Sequence, residues 1–389
     1  MTANFSWLCV KFDTCRCIRQ DWGANIVATT EKNATFDAAK AQAFAGQFLS
    51  ALNAGALCLM ASIGHRTGLF DSMRGSPRST SAEIATKARL NERYVREWLG
   101  AMVMSGIVEV DPTSTRYVLP AEHASYLARA AASDNLAVLA QYVAVMGEVE
   151  DEIVRCFQYG GGVPYEKFPR FQSIMAEDSG QSVLSTLESH VLPLVPGLAD
   201  RLAGGIRVLD VGCGSGRVLN RLAVLYPQSR FAGMDLSAEA IGIARAEAAE
   251  KGLRNVEFVV RDLSDFDRTA DPEAFEVVTT FDAVHDQAKP LNVLKGIHRT
   301  LKAGGLYLMQ EIRGSSYVHQ NIGHPLGTFL YATSTMHCMT VSLAQGGEGL
   351  GAMWGEEKTR EYIQNAGFRS IETHQLPHDF QSNWYVVRK

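Results

Sequence analysis

The sequence predicts an α/β fold in which a mostly parallel seven-stranded sheet follows an α-helical domain that contains a winged helix. Two patterns support this fold class. From Gly205 onward, short apolar runs alternate with segments of helical period, which is typical of a parallel sheet covered by helices on both faces. Before that point, residues 80–119 have the order helix, helix, hairpin, which is the order of a winged helix.

The length of the chain favours more than one domain, because 389 residues exceed the usual size of a single domain. We expect four segments: an N-terminal extension at 1–35, a winged-helix and dimerisation domain at 36–130, a helical linker and pocket region at 131–200, and the sheet domain at 201–389. In the sheet domain we expect strands near 206–210, 230–235, 256–260, 277–282, 306–311, 370–376 and 383–388, with helices at 217–226, 238–251, 290–301 and 356–366.

Composition excludes several function classes. A net charge of −5 gives no overall attraction to nucleic acid or to an anionic membrane. No uninterrupted apolar run reaches about 18 residues, so we expect no transmembrane helix and no membrane partner. The first residues lack the apolar centre of a signal peptide. The seven cysteines form no regular framework, so we expect reduced thiols and a cytoplasmic protein.

The winged helix is predicted from local signals. Thr80 and Glu83 have the spacing of a capping box at the start of a first helix. A second helix covers 92–105 and ends at Gly106, and a hairpin follows over 107–119. These elements together form the winged helix.

The surroundings of this winged helix favour dimerisation over DNA binding. Its second helix pairs Arg93 and Arg96 with Glu92 and Glu97, so it lacks the cation surplus that drives affinity for DNA. The segment 36–64 is apolar on most sides, which is typical of a helix buried by a partner subunit. We therefore expect a homodimer formed through the N-terminal domain, and no nucleic-acid partner.

A glycine turn is the strongest signal in the sheet domain. The first strand ends at Asp210 and is followed by Gly212, Gly214 and Gly216, which allow the backbone to approach a ligand closely. A dinucleotide fingerprint would require glycine where Arg217 stands. The spacing D-x-G-x-G-x-G instead resembles the first motif of the class I S-adenosylmethionine (SAM) methyltransferases.

Two further strand ends agree with that resemblance. Asp235 and Leu236 follow the second strand, where a carboxylate can accept both hydroxyl protons of a ribose. Asp262 and Leu263 follow the third strand, where an acid can accept from an adenine amino group and leucine can cover the ring. These positions match the second and third motifs of the family, and Phe281 at the end of the fourth strand completes the expected cofactor site. The resemblance implies a Rossmann-like, seven-stranded class I methyltransferase sheet that binds SAM.

The loop after the fourth strand contains the candidate base. His285 has a side chain whose pKa near neutrality suits proton transfer from a hydroxyl. The pair His285–Asp286 resembles the His-Asp pair of the plant small-molecule O-methyltransferases of the caffeate and isoflavone type. In that family the histidine is the general base and two acids flank it. The resemblance places those acids at Glu311, which ends the fifth strand, and at Glu357, which begins a later helix.

Two segments are expected to form the acceptor pocket. Phe171 and Met175 have the spacing of the family's substrate-clamping Phe-x-x-x-Met. The insert 313–355 is rich in aromatic residues, and we expect His337 and Trp354 to line the pocket, with His337 as a second candidate acid or base. Glycines in this insert predict a flexible lid. Its histidines lack the spacing of a zinc site, so we expect no metal.

The tryptophan that follows the His-Asp pair in the family is replaced by Gln287, and the insert has no counterpart in the plant enzymes. From about Gly64 the chain is similar to bacterial and animal methyltransferases with an N-terminal winged helix and unassigned substrates. The motifs at 65–70 and 91–99 support that similarity.

We expect a SAM-dependent methyltransferase that acts on a small-molecule acceptor, with in-line transfer to a hydroxyl oxygen and His285 as base. Two alternatives remain open: an N-methyltransferase on the same fold, and a non-catalytic winged-helix regulator that binds SAM.

Overall fold

The structure is a computed structural model that describes residues 36–389, with only the backbone described for residues 132–134. The predicted N-terminal extension, residues 1–35, lies outside the described residues. The chain divides into two compact units between Ser50 and Ala51, so the winged helix, the helical region and the sheet all belong to one unit.

The elements of the described residues follow the predicted order. The helices are α1 Ala38–Arg66, α2 Leu69–Met73, α3 Ser81–Ala88, α4 Glu92–Met104, α5 Ala121–Leu127, α6 Ala140–Gly147, α7 Glu150–Tyr159, α8 Phe171–Ser179, α9 Leu198–Gly204, α10 Arg217–Leu225, α11 Ala238–Glu250, α12 Phe266–Thr269, α13 Pro290–Thr300, α14 Gly327–Thr333, α15 Met339–Ala344 and α16 Gly355–Asn365. The strands are β1 Glu109–Asp111, β2 Arg116–Val118, β3 Arg207–Val211, β4 Arg230–Asp235, β5 Val256–Val260, β6 Phe275–Phe281, β7 Leu301–Ile312, β8 Ser370–His374 and β9 Ser382–Arg388.

Strands β3 to β9 form one seven-stranded sheet with the order β5-β4-β3-β6-β7-β9-β8. The first five strands in this order pair in parallel, and β9 pairs antiparallel with both β7 and β8. The predicted fold class is confirmed. Because β3 lies between β4 and β6, the chain reverses direction across the sheet at β3, and ligands bind at the carboxyl ends of strands at such a point.

Apolar side chains cover both faces of this sheet. Along β3, Val208 belongs to the core on one face and Leu209 to the core on the other. Alternate residues of a strand point to opposite faces, so a strand buried on both sides must be apolar throughout. The continuous apolar character of these strands therefore follows from their double coverage, and it fixes which strand ends meet at the crevice.

The winged helix forms as predicted, with α3, α4 and the β1–β2 hairpin. The side chain of Thr80 accepts a hydrogen bond from the backbone N–H of Glu83, and the Glu83 carboxylate accepts one from the N–H of Thr80 at 2.7 Å. On α4 the predicted arginines are held in ion pairs, Arg93 with Glu97 and Arg96 with Glu92. Its cations are therefore already partnered within the helix.

Helix α1 presents an apolar stripe. Phe44, Phe48 and Leu52 are spaced by four residues and are 63–65% exposed. Nearer its C-terminal end, Met60 packs on the winged-helix core and His65 is buried. By length and composition, α1 is the one helix in residues 36–389 that could cross a membrane, a measure that buried core helices and signal sequences also pass. The expectation of no such segment rested on uninterrupted apolar runs, which α1 lacks.

The glycine run of the insert is packed, in contrast to the loose lid that we expected from its composition. A Cβ on Gly347 would lie 2.6 Å from the Cα of Ala288. The backbone N–H of Glu348 donates to the carbonyl of Ala288 at 3.1 Å, and that of Gly349 donates to Ser342 Oγ at 3.1 Å. These glycines therefore allow close contact between the insert and the loop after β6.

Candidate active site

The glycine turn after β3 adopts the conformation that the sequence predicts. Gly212, Gly214 and Gly216 all have positive φ, which L-residues with a side chain rarely adopt. A Cβ on Gly216 would lie 2.4 Å from the ring of Phe258, whereas nothing lies within 4 Å of a Cβ built on Gly214. The turn is therefore anchored at its end and open at its middle, where a ligand can approach the backbone.

Asp235 joins the second strand to this turn. One carboxylate oxygen accepts a hydrogen bond from the N–H of Gly214 at 2.8 Å, and the other accepts from the N–H of Ser237 at 2.8 Å. Burial raises the pKa of Asp235, and these backbone hydrogen bonds oppose that rise. Each oxygen keeps a free lone pair, so the carboxylate can still accept two hydroxyl protons.

Asp210 lies at the end of β3 and is 3% exposed. The hydroxyl of Thr279 donates to its carboxylate at 2.7 Å. Burial raises the pKa of Asp210 to about 7, because the hydrogen bond from Thr279 offsets only part of the cost of desolvation. A cationic ligand at this strand end would stabilise the ionised carboxylate.

The remaining predicted cofactor residues divide into two groups. Leu236 is 44% exposed and is free to cover a ligand. Asp262 is also exposed, and its carboxylate accepts a hydrogen bond from the N–H of Ser264 at 2.8 Å. Leu263 and Phe281 both contact the core. Leu263 is 3% exposed, and Phe281, which is partly buried, packs against Trp384. Their role at a ligand surface stays a prediction.

His285 and Glu311 form the centre of the site. The ring Nδ1 lies 2.6 Å from the Glu311 carboxylate, and both side chains are at least 98% buried. Glu311 also accepts hydrogen bonds from the N–H of Val284 at 3.1 Å and from the indole N–H of Trp354 at 3.3 Å. This carboxylate therefore fixes the orientation of the imidazole, with Nδ1 toward Glu311 and Nε2 on the opposite side of the ring.

Two more carboxylates surround the same ring. Asp286 Oδ1 lies 3.0 Å from Nε2, and Asp282 Oδ1 lies 3.6 Å from Nδ1. Burial by itself would lower the pKa of His285, but the charges of Glu311, Asp286 and Asp282 outweigh it and raise that pKa well above 6.5. Asp282 has a φ of 53°, a strained backbone for a residue other than glycine. These carboxylates therefore favour the protonated form of the His285 ring.

Glu357, the second acid implied by the resemblance, is placed elsewhere. Its carboxylate accepts from the Ser315 hydroxyl at 2.9 Å and from the Ser316 N–H at 2.7 Å, and its side chain is exposed. The first turn of α16 directs it toward the start of the insert. Trp354, expected in the pocket wall, is 3% exposed and contacts Glu311 from the core. The catalytic role of Glu357 and the pocket role of Trp354 stay predictions.

The aromatic wall combines both predicted segments. The ring of His337 stacks on Phe171 with centroids 3.4 Å apart and planes 10° apart, and Phe168 meets His337 edge-on at 4.8 Å. Met175 packs against the same cluster and contacts the hydroxyl of Tyr142 through sulfur at 2.9 Å. Phe171, Met175 and His337 therefore come together as expected.

The sequence did not single out Tyr165. Its hydroxyl donates to Asp286 Oδ2 at 3.3 Å, and it follows a glycine-rich break whose Val163 N–H donates to the Thr340 hydroxyl at 2.8 Å. A Cβ on Gly162 would lie 2.0 Å from the carbonyl oxygen of Thr340, so only glycine permits this contact. The break itself was visible in the sequence, but its partner 178 residues later was not.

Potential metal ligands occur within this cluster. One ligand atom each from His285, Asp286 and Cys338 lies within 4.8 Å of the others, and the same holds for Asp282, His285 and Glu311. Both groups depend on His285, whose two nitrogens already face carboxylates. A protonated imidazole at this position supplies the positive charge that a metal ion would, so we interpret the cluster through proton chemistry.

Replacing Glu311 by glutamine tests this electrostatic arrangement. Loss of one of the carboxylates around the ring should lower the pKa of His285 by about 1–3 pH units, because an adjacent opposite charge favours the imidazolium. A titration of the His285 ring followed by NMR measures the change. Glu357→Gln is the matched control and should leave that pKa unaltered; an equal effect of both variants would contradict the geometry described above.

Comparison with known proteins agrees with the order of the domains. Residues 55–129 match the family model described as an Rv2258c-like winged HTH domain, and residues 202–375 match a methyltransferase domain. The ubiquinone biosynthesis O-methyltransferase of Burkholderia thailandensis is 30% identical over 141 residues, which is 33% of this chain and 57% of that protein. The chain thus spans little more than half the length of this curated relative.

Solved structures resemble the chain over most of its length. Human N-acetylserotonin methyltransferase in complex with SAM has a TM-score of 0.63 and 18% identity, covering 92% of this chain and 99% of that one. Mitomycin 7-O-methyltransferase has a TM-score of 0.65 and 15% identity, covering 90% and 100%. At such identities the likeness establishes the fold. The chain therefore resembles a winged HTH domain of the Rv2258c-like type over residues 55–129 and a methyltransferase domain over residues 202–375, and it has the fold of these solved structures.

Proposed function

We propose that this protein transfers the methyl group of SAM to a hydroxyl oxygen of a small-molecule acceptor, with His285 as general base. The observation that carries the proposal is the 2.6 Å contact between His285 Nδ1 and Glu311 at the carboxyl ends of β6 and β7. Those ends lie beside the open glycine turn of β3, because β3 and β6 are neighbours in the sheet. Cofactor and base would then share one crevice.

The cofactor fits the residues present. The open backbone at Gly214 can approach the methionine portion, and Asp235 retains lone pairs for ribose hydroxyls. Leu236 is exposed beside it. Arg217 connects this turn to the aromatic wall, because its guanidinium donates to the carbonyl of Ala176 in α8 at 2.7 Å. The match to a methyltransferase domain and the SAM complex of a neighbour with the same fold support the same cofactor.

When bound, SAM supplies an activated methyl group on a good leaving group, so the chain must align the acceptor and remove its proton. His285 Nε2 accepts that proton once the ring is neutral, and Glu311 stabilises the imidazolium that forms. The buried aromatic wall of Phe171 and His337 excludes water from the same space. Because the pKa of His285 is raised, the base form and the rate should both increase as the pH rises through that pKa.

One observation favours a second candidate, transfer to an amine nitrogen. Three carboxyl groups surround His285 and favour its imidazolium form, which cannot accept a proton. A neutral amine needs no base before its attack on the methyl group. The identity of the methylated atom in the product separates the two candidates.

We also propose a homodimer formed through α1. The stripe of Phe44, Phe48 and Leu52 continues to Leu59 and Ile63, and all five are more than 40% exposed. A helix of 29 residues is roughly 43 Å long, so two such stripes in contact would bury a continuous apolar surface. The paired arginines of α4 support this use of the N-terminal domain over DNA binding.

Calorimetric titration with SAM tests the cofactor proposal. Asp235→Ala should weaken binding roughly 10- to 150-fold, the effect expected for losing about 1.5–3 kcal/mol of hydrogen bonding to a charged group. Glu239→Ala, an exposed acid near the start of α11, is the matched control and should bind like the parent. Absence of SAM binding by the parent protein would refute the proposed cofactor.

Turnover of His285→Ala tests the base. With any acceptor found by product screening, the variant should retain SAM affinity, lose at least roughly 100-fold in kcat, and lose the alkaline rise of the rate. Mass spectrometry of the product assigns oxygen or nitrogen. Unchanged turnover by His285→Ala would remove this residue from the mechanism, and SAM binding without turnover of any acceptor would favour the winged-helix regulator.

Sedimentation analysis of Phe48→Glu tests the dimer. A charge in the centre of the stripe should convert the dimer to a monomer, because an unpaired buried carboxylate is costly. Glu97→Gln on the exposed face of α4 is the control and should remain dimeric. A parent protein that is monomeric in buffer and binds lipid vesicles would assign the stripe to a membrane instead.

A further inference from the structure

The acceptor side of the site contains more carboxylates than cations. Asp282, Asp286 and Glu311 all lie within 3.6 Å of the His285 ring, which is their shared cation. Among residues 36–389, no lysine or arginine forms an ion pair with any of these three carboxylates. With the ring protonated, the cluster can therefore carry a net negative charge.

Individual atoms of this cluster also lack partners. Asp282 Oδ1 and Asp286 Oδ1 have no hydrogen-bond partner among the described residues. Although Asp286 Oδ1 lies 3.0 Å from the His285 ring, the alignment is not that of a hydrogen bond. Carboxylate oxygens only accept, so the groups that would satisfy them must be donors. A ligand that supplies N–H or O–H groups would remove the cost of leaving these oxygens unpaired.

His337 gives independent evidence of a ligand. Its ring is fully buried, and neither ring nitrogen has a hydrogen-bond partner in the described part of the chain. Nδ1 lies 3.9 Å from Asp286 Oδ2, and one ring face is covered by Phe171. A buried imidazole without partners is costly, so its presence beside the carboxylates indicates that something polar binds there.

The side chains beside the carboxylates are aromatic, which favours an aromatic ligand. Phe171 and His337 are nearly parallel, while Tyr165 and Phe168 meet His337 edge-on at 5.4 and 4.8 Å. Aromatic rings favour such arrangements with a further ring. Their faces also attract a cation that has been removed from water.

From these observations we propose that the acceptor is a planar aromatic molecule that carries a positive charge, such as an ammonium group, next to Asp282 and Asp286. The inference rests on the proposed function and specifies its substrate class. Acceptors with a carboxylate or phosphate at the same position are excluded, because they would add a negative charge to a cluster that has no arginine or lysine to receive it.

The pKa values of the carboxyls show that His285 stabilises them unequally. Against the effect of burial, the His285 charge lowers the pKa of Asp286 to about 2, whereas the pKa of Asp282 stays raised. Burial raises the pKa of Asp282, and the charges of Glu311 and Asp286 raise it further against the effect of His285. A bound ammonium would favour the ionised form of Asp282. It would also offset the negative charge felt by the ring, so the pKa of His285 would fall and more of the base form would be present. Binding of the acceptor would thereby increase the fraction of His285 that is neutral and able to accept a proton.

The test compares three catechols that differ only in the charge of the side chain: dopamine, 4-(2-hydroxyethyl)catechol and 3,4-dihydroxyphenylacetate. Each is titrated calorimetrically into the full-length protein saturated with S-adenosylhomocysteine, which lacks the sulfonium charge. We expect dopamine to bind at least roughly tenfold more tightly than the alcohol, and the carboxylate to bind most weakly. Equal affinities, the reverse order, or no binding of all three would overturn the inference.

The variant Asp282→Asn removes the negative charge of this side chain while nearly keeping its shape, so it tests whether the charge causes the preference for dopamine. Asparagine tolerates the left-handed backbone at this position, so folding should be retained. The preference for dopamine over the alcohol should fall to less than about threefold in this variant, whereas Asp151→Asn on the exposed surface of α7 should keep the full preference. An unchanged preference in Asp282→Asn would contradict the assignment.

Titration of the protein with S-adenosylhomocysteine distinguishes a failure of the proposed function from a failure of the proposed substrate class. If it does not bind, the proposed function fails. If it binds and the catechols show no preference for positive charge, only the substrate class fails.

Discussion

The buried contact between His285 and Glu311 is the interaction on which the arrangement of this site depends. A carboxylate that is fully buried is stable only with several donors, and Glu311 has three: the His285 ring, the Val284 N–H and the Trp354 indole. These donors come from the loop after β6 and from the residue just before α16. The same carboxylate therefore connects two separate parts of the chain to the end of β7 and orients the ring toward the ligand space.

The insert between β7 and α16 forms part of the aromatic wall beside the carboxyl ends of the strands. The contact of Gly162 with Thr340 and the stacking of Phe171 on His337 hold the helical region and the insert together. Neither segment alone forms the wall, and the packed glycines near Ala288 connect the insert to the base loop. This arrangement places an aromatic wall next to a cluster of carboxyl groups, which is the basis of the proposed selectivity for a flat, positively charged acceptor.

Local signals were sufficient to predict the fold and the conformation of the glycine turn. The alternation of strands and helices, the capping box at Thr80 and the positive φ of the glycine turn depend on neighbouring residues, and all were predicted correctly. The positions of Glu311 and His285 followed from the strand ends where they occur. The direction in which a side chain points was harder to predict from the sequence than the elements themselves. Leu263 and Phe281 are apolar residues at strand ends, and whether they face the ligand or the core depends on packing that the pattern does not encode.

Distant contacts account for the other differences. Glu357 in the first turn of α16 accepts a hydrogen bond from Ser316, whereas Trp354, just before this helix, donates one to Glu311. Tyr165 and Asp286 are 121 residues apart and meet only because the insert folds back over the loop.

The central claim, that one crevice serves both cofactor and base, is tested most directly by a crystal structure with S-adenosylhomocysteine bound. The account predicts ribose hydroxyls on Asp235 and the sulfur atom facing the His285 side of the crevice. A nucleoside bound away from the β3 glycine turn, or a sulfur directed away from His285, would contradict it.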